Sequence, residues 1–211
     1  MNLEGIQIKD SELKEMFVHA LYFHGHLCPA MPIGLRAGNL ARKKLGVNRS
    51  QDKELMLLSE TSSGHAMACF LDGVMVATGC TYGKGNCKKL NYGKLAFTLI
   101  DKKNNKQVRV SVSPNFIINA LQNSPFIAER KKGIPPQDVD RELAVAAVNK
   151  VLSIPDEDLF IVSEVTENRL KKSSGTFEAH LCKGCKEAVY AKWLRIKNGE
   201  LYCIKCSGYE E

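Results

Sequence analysis

The sequence predicts an α+β core domain, with mixed helices and a largely antiparallel sheet, followed by a small C-terminal domain organised by cysteines. The core is predicted from the order of the patterns, because helical and strand-like segments succeed one another without a regular βαβ alternation. The small domain is predicted from two Cys-x-x-Cys pairs near the C-terminus. A polar, basic and glycine-ended stretch, 168–175, lies between them, so we predict domains at 1–167 and 168–211.

Composition and charge are typical of a soluble globular chain. Hydrophobic residues make up 44% of the 211 residues and charged residues 25%, which is enough to fill a core. No apolar run approaches the roughly 18 residues that cross a bilayer, and the first residues lack the pattern of a secretion signal. We therefore expect a cytoplasmic protein with no membrane span. The net charge of +7 favours anionic partners only weakly at this length.

Helices and strands are predicted from hydrophobic periodicity and from the residues that start or stop them. Asp10 or Ser11 can cap a first helix with an apolar face over 13–21, and Gly46 ends a second helix that starts at Pro32. The remaining predictions are a strand at 54–60, a buried helix at 64–78, a hairpin of strands at 94–101 and 107–113, a helix from 113 through 121 broken at Pro125, a helix at 138–152 and a strand at 159–165.

The C-terminal cysteines have the spacing of a metal site. Eight cysteines in a compartment that keeps thiols reduced indicate metal ligands or reactive thiols. Cys182 and Cys185 are separated from Cys203 and Cys206 by 17 residues. Two such knuckles can complete a tetrahedron of thiolates around Zn²⁺, each at about 2.3 Å. We therefore predict one zinc ion in this module.

The segment between the two pairs is predicted to form a hairpin. Residues 188–193 and 201–202 would pair around Asn198 and Gly199, since Asn-Gly accepts the positive φ angles of such turns. The result is a zinc-ribbon-like domain. A module of roughly 40 residues cannot bury a sufficient core, so zinc should supply much of its folding free energy. Two disulfides or a redox pair of thiols are the alternative, which the compartment and the paired spacing disfavour.

A second group of candidate ligands lies near the N-terminus. His24, His26 and Cys28 are spaced i, i+2 and i+4 in a stretch that Gly25 and Pro29 keep out of a helix, so an extended backbone would turn all three side chains to one face. Cys28 also precedes a predicted helix, whose positive end lowers a thiol pKa. This placement favours a metal-binding or reactive thiolate.

Further candidates follow on the predicted helix at 64–78. His65, Cys69 and Asp72 form one stripe at i, i+4 and i+7, and Cys80 follows the end of the helix. With the N-terminal group they could furnish a second metal site of mixed nitrogen, sulfur and oxygen character. The alternative is structural: Cys69 and Cys80 would be small core residues. The carboxylate of Asp72 would then pair with Arg36, Lys84 or a backbone amide.

The glycine-rich loop after this helix resembles a phosphate loop without matching it. Three residues stand between Gly79 and Gly83 where the P-loop has four, and no Ser or Thr follows Lys84. This departure argues against a nucleotide triphosphatase. A backbone nest that binds an anion around Gly83, Lys84 and Gly85 is the remaining prediction.

The N-terminal part resembles the E-subunit family of formylmethanofuran dehydrogenase. The resemblance depends on Phe23-His-Gly-His-Leu-Cys-Pro29, on Cys69 with Asp72, on Gly79-Cys-Thr-Tyr-Gly-Lys-Gly-Asn86 and on Tyr92-Gly-Lys94, and it spans most of the first 165 residues. It implies an α+β core that forms an intertwined dimer, associated with a molybdenum or tungsten enzyme whose metal centre lies on a different chain. Some members of the family carry a similar C-terminal zinc finger.

The resemblance also implies a set of site residues. The positions that match the polar motif residues of the family are His24, His26, Cys28, Cys69, Asp72 and Cys80. Two departures affect the ligand set: Ala30 stands where the family usually has Gly, and the segment 60–69 is longer than usual and introduces His65.

Three functional hypotheses follow. The first is a dimeric, metal-binding accessory protein of a metalloenzyme complex, with a structural zinc finger and a core metal or ligand site. The second is a nucleic-acid or transcription-associated binder that acts through the ribbon, where nine Lys or Arg stand against five Glu and where Tyr190, Trp193 and Tyr202 are available for stacking. The third is a small metallohydrolase or thiol-redox enzyme that uses Cys28. The residue patterns do not establish catalysis.

Overall fold

The computed structural model describes residues 3–64, 66–168 and 177–209. The chain divides into two compact units, Met1–Asn168 and Arg169–Glu211. The first unit has mixed helices around an antiparallel-rich sheet, and the second contains small antiparallel sheets beside a four-cysteine cluster. The predicted α+β fold with a ribbon-like C-terminal module is confirmed.

The described strands of the first unit form one six-stranded sheet. Its strands are β1 (Leu55–Ser59), β2 (Cys87–Lys89), β3 (Ala96–Asp101), β4 (Lys106–Val112), β5 (Phe160–Val162) and β6 (Thr166–Glu167). The order is β2-β1-β3-β4-β5, with β6 also paired to β4. The β1–β2 pair is parallel and the other pairs are antiparallel. Strand β2 falls in the stretch that the sequence predicts as a loop.

The described α-helices of the first unit are α1 (Ser11–His24), α2 (Ala30–Leu45), α3 (Met67–Thr78), α4 (Pro125–Lys131), α5 (Arg141–Ser153) and α6 (Asp156–Leu159). Several helix ends lie at predicted signals, but α2 begins before the predicted Pro32 and α3 begins three residues after the predicted position 64. Asp10 caps α1 by accepting the Leu13 N–H at 3.0 Å, and Gly46 ends α2 in the left-handed conformation. The predicted break at Pro125 is confirmed, because a π-helical segment, Phe116–Leu121, ends before Ser124 caps α4.

The contact between α2 and α3 brings the two backbones together. A Cβ on Gly34 would lie 1.8 Å from the carbonyl oxygen of Phe70, and a Cβ on Gly73 would lie 2.1 Å from that of Met31. Only glycine fits at these positions without a backbone shift. The helix pair packs on the sheet through buried side chains that include Ile33, Leu57, Phe70, Phe97 and Val108. This core fixes the positions of the N-terminal end of α2 and of α3.

The second unit contains two short hairpins and a final turn of helix. Its elements are β7 (Ala179–Leu181), β8 (Ala188–Tyr190), β9 (Leu194–Lys197), β10 (Glu200–Cys203) and α7 (Ile204–Ser207). The Asn198–Gly199 turn lies where the sequence places it, but the predicted pairing of 188–193 with 201–202 is wrong. A 3-10 turn, Ala191–Trp193, redirects the chain, so β8 pairs with β7 and β9 pairs with β10.

Within the described ranges, no helix has both the length and the apolar character needed to cross a bilayer.

Candidate metal centres

The N-terminal ligand motif is the reversal between α1 and α2. His24 is the last residue of α1, and Gly25 ends that helix in the left-handed conformation by donating its N–H to the Leu21 carbonyl at 2.9 Å. The chain then runs through His26 to Cys28, which lies beside the first turn of α2. The helix end therefore turns these three side chains towards one another.

Four side chains from three segments meet at this reversal. His24 Nε2 lies 3.2 Å from His26 Nε2 and 3.5 Å from Cys28 Sγ. Cys69 joins them from α3, and the four ligand atoms all lie within 4.8 Å of one another. Both cysteines are buried, whereas His26 is partly exposed. We call these four residues the core cluster; the group could hold a metal ion.

Asp72 supports the core cluster from one helical turn beyond Cys69. The Nδ1–H group of His24 donates to Asp72 Oδ2 at 2.8 Å, which leaves Nε2 to face the cluster. A carboxylate that holds the outer nitrogen of a histidine in this way fixes the tautomer and orientation of a metal ligand. The suggested alternative partners of Asp72 are bound elsewhere: Arg36 pairs with Asp156, and Lys84 donates to backbone carbonyls.

Hydrogen bonds within the core cluster, together with burial, shift the pKa values of its members. Burial opposes charge on His24, but hydrogen bonds to Asp72 and Cys69 outweigh it and raise the pKa of His24 to about 9. The hydrogen bond between the two thiols raises the pKa of Cys28, with burial adding to the effect, and lowers the pKa of Cys69. Within the pair, the thiolate form is therefore favoured at Cys69 over Cys28.

Cys80, another predicted core residue, is not part of this group. Cys80 is fully buried in the apolar core that also contains Cys87, and burial raises its pKa to about 11. His65 lies outside the described residues. The structure thus brings together four of the predicted ligands, with Asp72 bound to one of them, and leaves Cys80 apart. Whether these residues bind a metal stays a prediction.

The glycine-rich loop uses its lysine for internal contacts. Lys84 Nζ donates to the carbonyl oxygens of Ser50 at 3.0 Å and Gln51 at 3.3 Å. Asn86 Oδ1 accepts the N–H of Thr81 across the same loop. These bonds join the loop to the segment before β1. The predicted anion site at Gly83, Lys84 and Gly85 is not tested by them and stays a prediction.

The C-terminal cysteines form a second group, which we call the tail cluster. Cys182, Cys185, Cys203 and Cys206 have all four sulfur atoms within 4.8 Å of one another. The N–H groups of Cys203 and Cys206 point at the sulfur atoms of Cys182 (3.3 Å) and Cys203 (3.4 Å). Such N–H groups stabilise thiolates, and they are typical of metal-binding knuckles.

One glycine makes the approach of the two knuckles close. A Cβ on Gly184 would lie 2.9 Å from Cys206 Cβ and 3.0 Å from its sulfur.

The hydrogen bond from the Cys203 N–H is the largest of the effects that lower the pKa of Cys182 to about 6. Hydrogen bonding to Cys203 is first among those that raise the pKa of Cys206 to about 12. The cluster is therefore partly ionised before any metal binds.

Comparison with known proteins identifies the family. The family model described as FmdE, molybdenum formylmethanofuran dehydrogenase operon, matches residues 23–161, a stretch that contains the whole core cluster. A relative from Archaeoglobus fulgidus, described as a probable S-adenosyl-L-methionine-binding protein, is 32% identical over 94% of this chain. The match covers 54% of that relative, so the chain spans about half its length.

A solved structure has the same fold. It is an FmdE-like protein of the tungsten formylmethanofuran dehydrogenase type from Syntrophus aciditrophicus, with a TM-score of 0.58 over 93% of this chain and 92% of that one. At 23% sequence identity this match shows the fold alone. The family resemblance in the sequence is confirmed by the family model. The chain belongs to the FmdE family.

Proposed function

We propose that this chain is a metal-binding accessory protein of the FmdE type, with zinc in the tail cluster and a second metal in the core cluster. The core-cluster distances carry the proposal. Metal–nitrogen bonds of about 2.05 Å and metal–sulfur bonds of about 2.3 Å give tetrahedral edges of about 3.3 Å between two nitrogens and about 3.5 Å between nitrogen and sulfur. His24 Nε2 lies 3.2 Å from His26 Nε2 and 3.5 Å from Cys28 Sγ.

The ligand count favours binding over catalysis. Two histidines and two cysteines fill a tetrahedron, and closed sites of this kind are structural, whereas catalytic zinc sites keep one position open. Cys28 is 3% exposed, which argues against its use as an attacking thiol. We therefore favour an accessory role, as a cytoplasmic homodimer beside a metalloenzyme, over turnover by this chain.

Elemental analysis of purified variants tests the two metal sites separately. The wild type should carry two metal ions per chain, and a Cys182→Ser/Cys185→Ser variant should keep one. A Cys69→Ser variant should also keep one, while Cys80→Ser, a change at another buried cysteine, should keep both. If Cys69→Ser retains the full metal content, the core metal site does not exist.

Nucleic-acid binding by the ribbon is a second candidate, supported by exposed aromatic side chains beside cations. Tyr190 is 58% exposed and Trp193 50% exposed, and the ammonium of Lys192 lies 5.6 Å from the Trp193 ring centroid. Aromatic rings flanked by cations are suited to stacking on single-stranded bases. Anisotropy titration of a dye-labelled oligodeoxythymidine at low salt tests this. Trp193→Ala should weaken binding by about 1–3 kcal/mol, and no binding by the wild type removes the candidate.

The Archaeoglobus relative suggests a small ligand. Its description names S-adenosyl-L-methionine, and its 32% identity extends over 94% of this chain. We propose S-adenosyl-L-methionine as a ligand to test by equilibrium dialysis. Saturable binding by this chain would locate that property in the half of the relative that the match covers. Lack of binding would leave it to the remainder of the relative.

A further inference from the structure

A cleft beside α1 contains charged side chains that neither metal site uses. It has a volume of about 570 Å³ and lies between α1, the end of α2 and α3. Glu12, Glu15 and Phe23 of α1 line it, together with Arg42 of α2 and with Arg49. Small-molecule sites usually have volumes of about 300–1,000 Å³. The cleft is thus large enough for a small organic ligand.

Arg42 is a mostly buried cation with incomplete hydrogen bonding. Its side chain is 13% exposed. Nη1 donates to the Ala77 carbonyl at 3.2 Å, whereas Nη2 is 3.8 Å from Glu12 Oε1, which is too long for a hydrogen bond. Nε is buried and has no partner in the described structure, so Nη2 is the donor left for a ligand in the cleft. A buried charge left in this state costs free energy that a bound anion would offset.

Two other arginines of the same unit have close carboxylate partners. Arg36, whose side chain is 10% exposed, donates to Asp156 Oδ1 at 2.6 Å and to the carbonyl of Ile154 at 2.6 Å. Arg109 binds both carboxylate oxygens of Glu60, at 2.6 and 2.8 Å. Compared with these two, Arg42 lacks a close carboxylate. Since Arg42 lines the cleft, a carboxylate bound there could reach its Nη2 group.

The remaining lining limits the kind of anion. Glu12 and Glu15 balance the formal charges of Arg42 and Arg49, so a multiply charged phosphate would meet two carboxylates at the rim. A ligand with one carboxylate and one ammonium would satisfy both signs of charge. Phe23 is 57% exposed and offers an aromatic surface to an apolar part of the ligand.

We propose that this cleft binds a small zwitterion with an α-amino-acid head. Its carboxylate accepts a hydrogen bond from Arg42 Nη2, its ammonium lies between Glu12 and Glu15, and its side chain contacts Phe23. The proposal is independent of both metal sites, because none of the lining residues belongs to the core or tail cluster. Phe23 directly precedes His24 in the chain, so a bound ligand would lie next to the core cluster along α1.

Calorimetric titration with L-tryptophan, tryptamine and indole-3-propionate tests the charge requirement. The three probes share an indole ring, but tryptamine lacks the carboxylate and indole-3-propionate lacks the ammonium. L-Tryptophan should bind at least about tenfold more tightly than either, which is the loss expected when one charged hydrogen bond is removed. In ¹⁵N-resolved spectra the Arg42 Nε–H signal should shift on saturation. Equal binding of the three probes, no binding of L-tryptophan, or tighter binding of inorganic phosphate would overturn the proposal.

Exposed positions supply variants that do not endanger folding. Glu15→Gln should weaken L-tryptophan binding about tenfold with an unchanged Tm. Glu157→Gln makes the same change at an exposed position of α6, outside the cleft, and should have no effect. If Glu15→Gln binds like the wild type, the ammonium does not lie at α1 and the proposal fails.

Discussion

The core and tail clusters have the same number of ligands but are built in different ways. The core cluster joins ligands between His24 and Cys69 on a framework of buried helices and strands, with Asp72 as an outer support. The tail cluster joins two short knuckles in a unit whose strands are mostly exposed. A metal in the core cluster would bind to a domain that is already held together by its packed helices and strands. In the tail cluster, metal binding would supply the folding free energy that a larger apolar core would otherwise provide.

Metal removal should have the largest effect, and it tests directly whether the two clusters differ in their role in folding. Chelation, or a Cys203→Ser substitution, should unfold residues 177–209, because structural zinc contributes about 10–16 kcal/mol in modules of this kind. Amide spectra should show collapse of the signals from β7–β10 while those from β1–β5 keep their dispersion. A tail that keeps its dispersed signals without metal would mean that its own packing is sufficient.

Disruption of the backbone contact between α2 and α3 should have a larger effect on the first unit than loss of the hydrogen bond between Asp72 and His24. Gly73→Ala places a Cβ 2.1 Å from the carbonyl oxygen of Met31. Because the two backbones must shift to relieve this clash, the change should destabilise the first unit by about 3 kcal/mol. Urea denaturation followed in the first unit measures the loss. Gly83→Ala is the matched control, because a Cβ there meets nothing within 4 Å. Equal stability of the two variants would show that α2 and α3 separate easily.

Asp72→Asn should have a smaller effect, limited to the metal. The loss of the carboxylate that orients His24 should weaken core metal binding 10- to 100-fold, which is about 1.4–2.7 kcal/mol. Competition with a chromophoric chelator measures this affinity. Asp10→Ala removes the cap at the opposite end of α1 and costs about 1 kcal/mol of stability, so it should leave metal affinity unchanged. Loss of affinity in the Asp10 variant would reveal general loosening of α1.

Local signals were sufficient for much of the fold. Asp10 and Gly46 act where the sequence places them, because caps depend on neighbours within a few residues. The paired cysteines of the tail were equally readable. Strand β2 was missed because three residues carry no measurable alternation, and the ribbon hairpin was misassigned because the Ala191–Trp193 turn has no glycine or proline to mark it.

The composition of the core cluster could be predicted only in part. The spacing of His24, His26 and Cys28 indicates one face, but their meeting with Cys69 depends on how α2 and α3 pack. Cys80 looked equivalent in the sequence and lies in the apolar core, since the end of α3 faces the sheet there. The role of Asp72 as a support required knowledge of which nitrogen of His24 it binds.

If the proposed core metal binds, the glycine contact between α2 and α3 has a consequence for the choice of ion. The backbones of α2 and α3 cannot come closer at Gly34 and Gly73, and their separation would expose Phe70, so we expect the backbone positions of the two core cysteines to change little. Adaptation to an ion of another radius must come from the imidazoles, and above all from His26 on its non-helical segment. Ions that demand longer bonds to sulfur should therefore be discriminated against by rigidity, without any change of donor atoms.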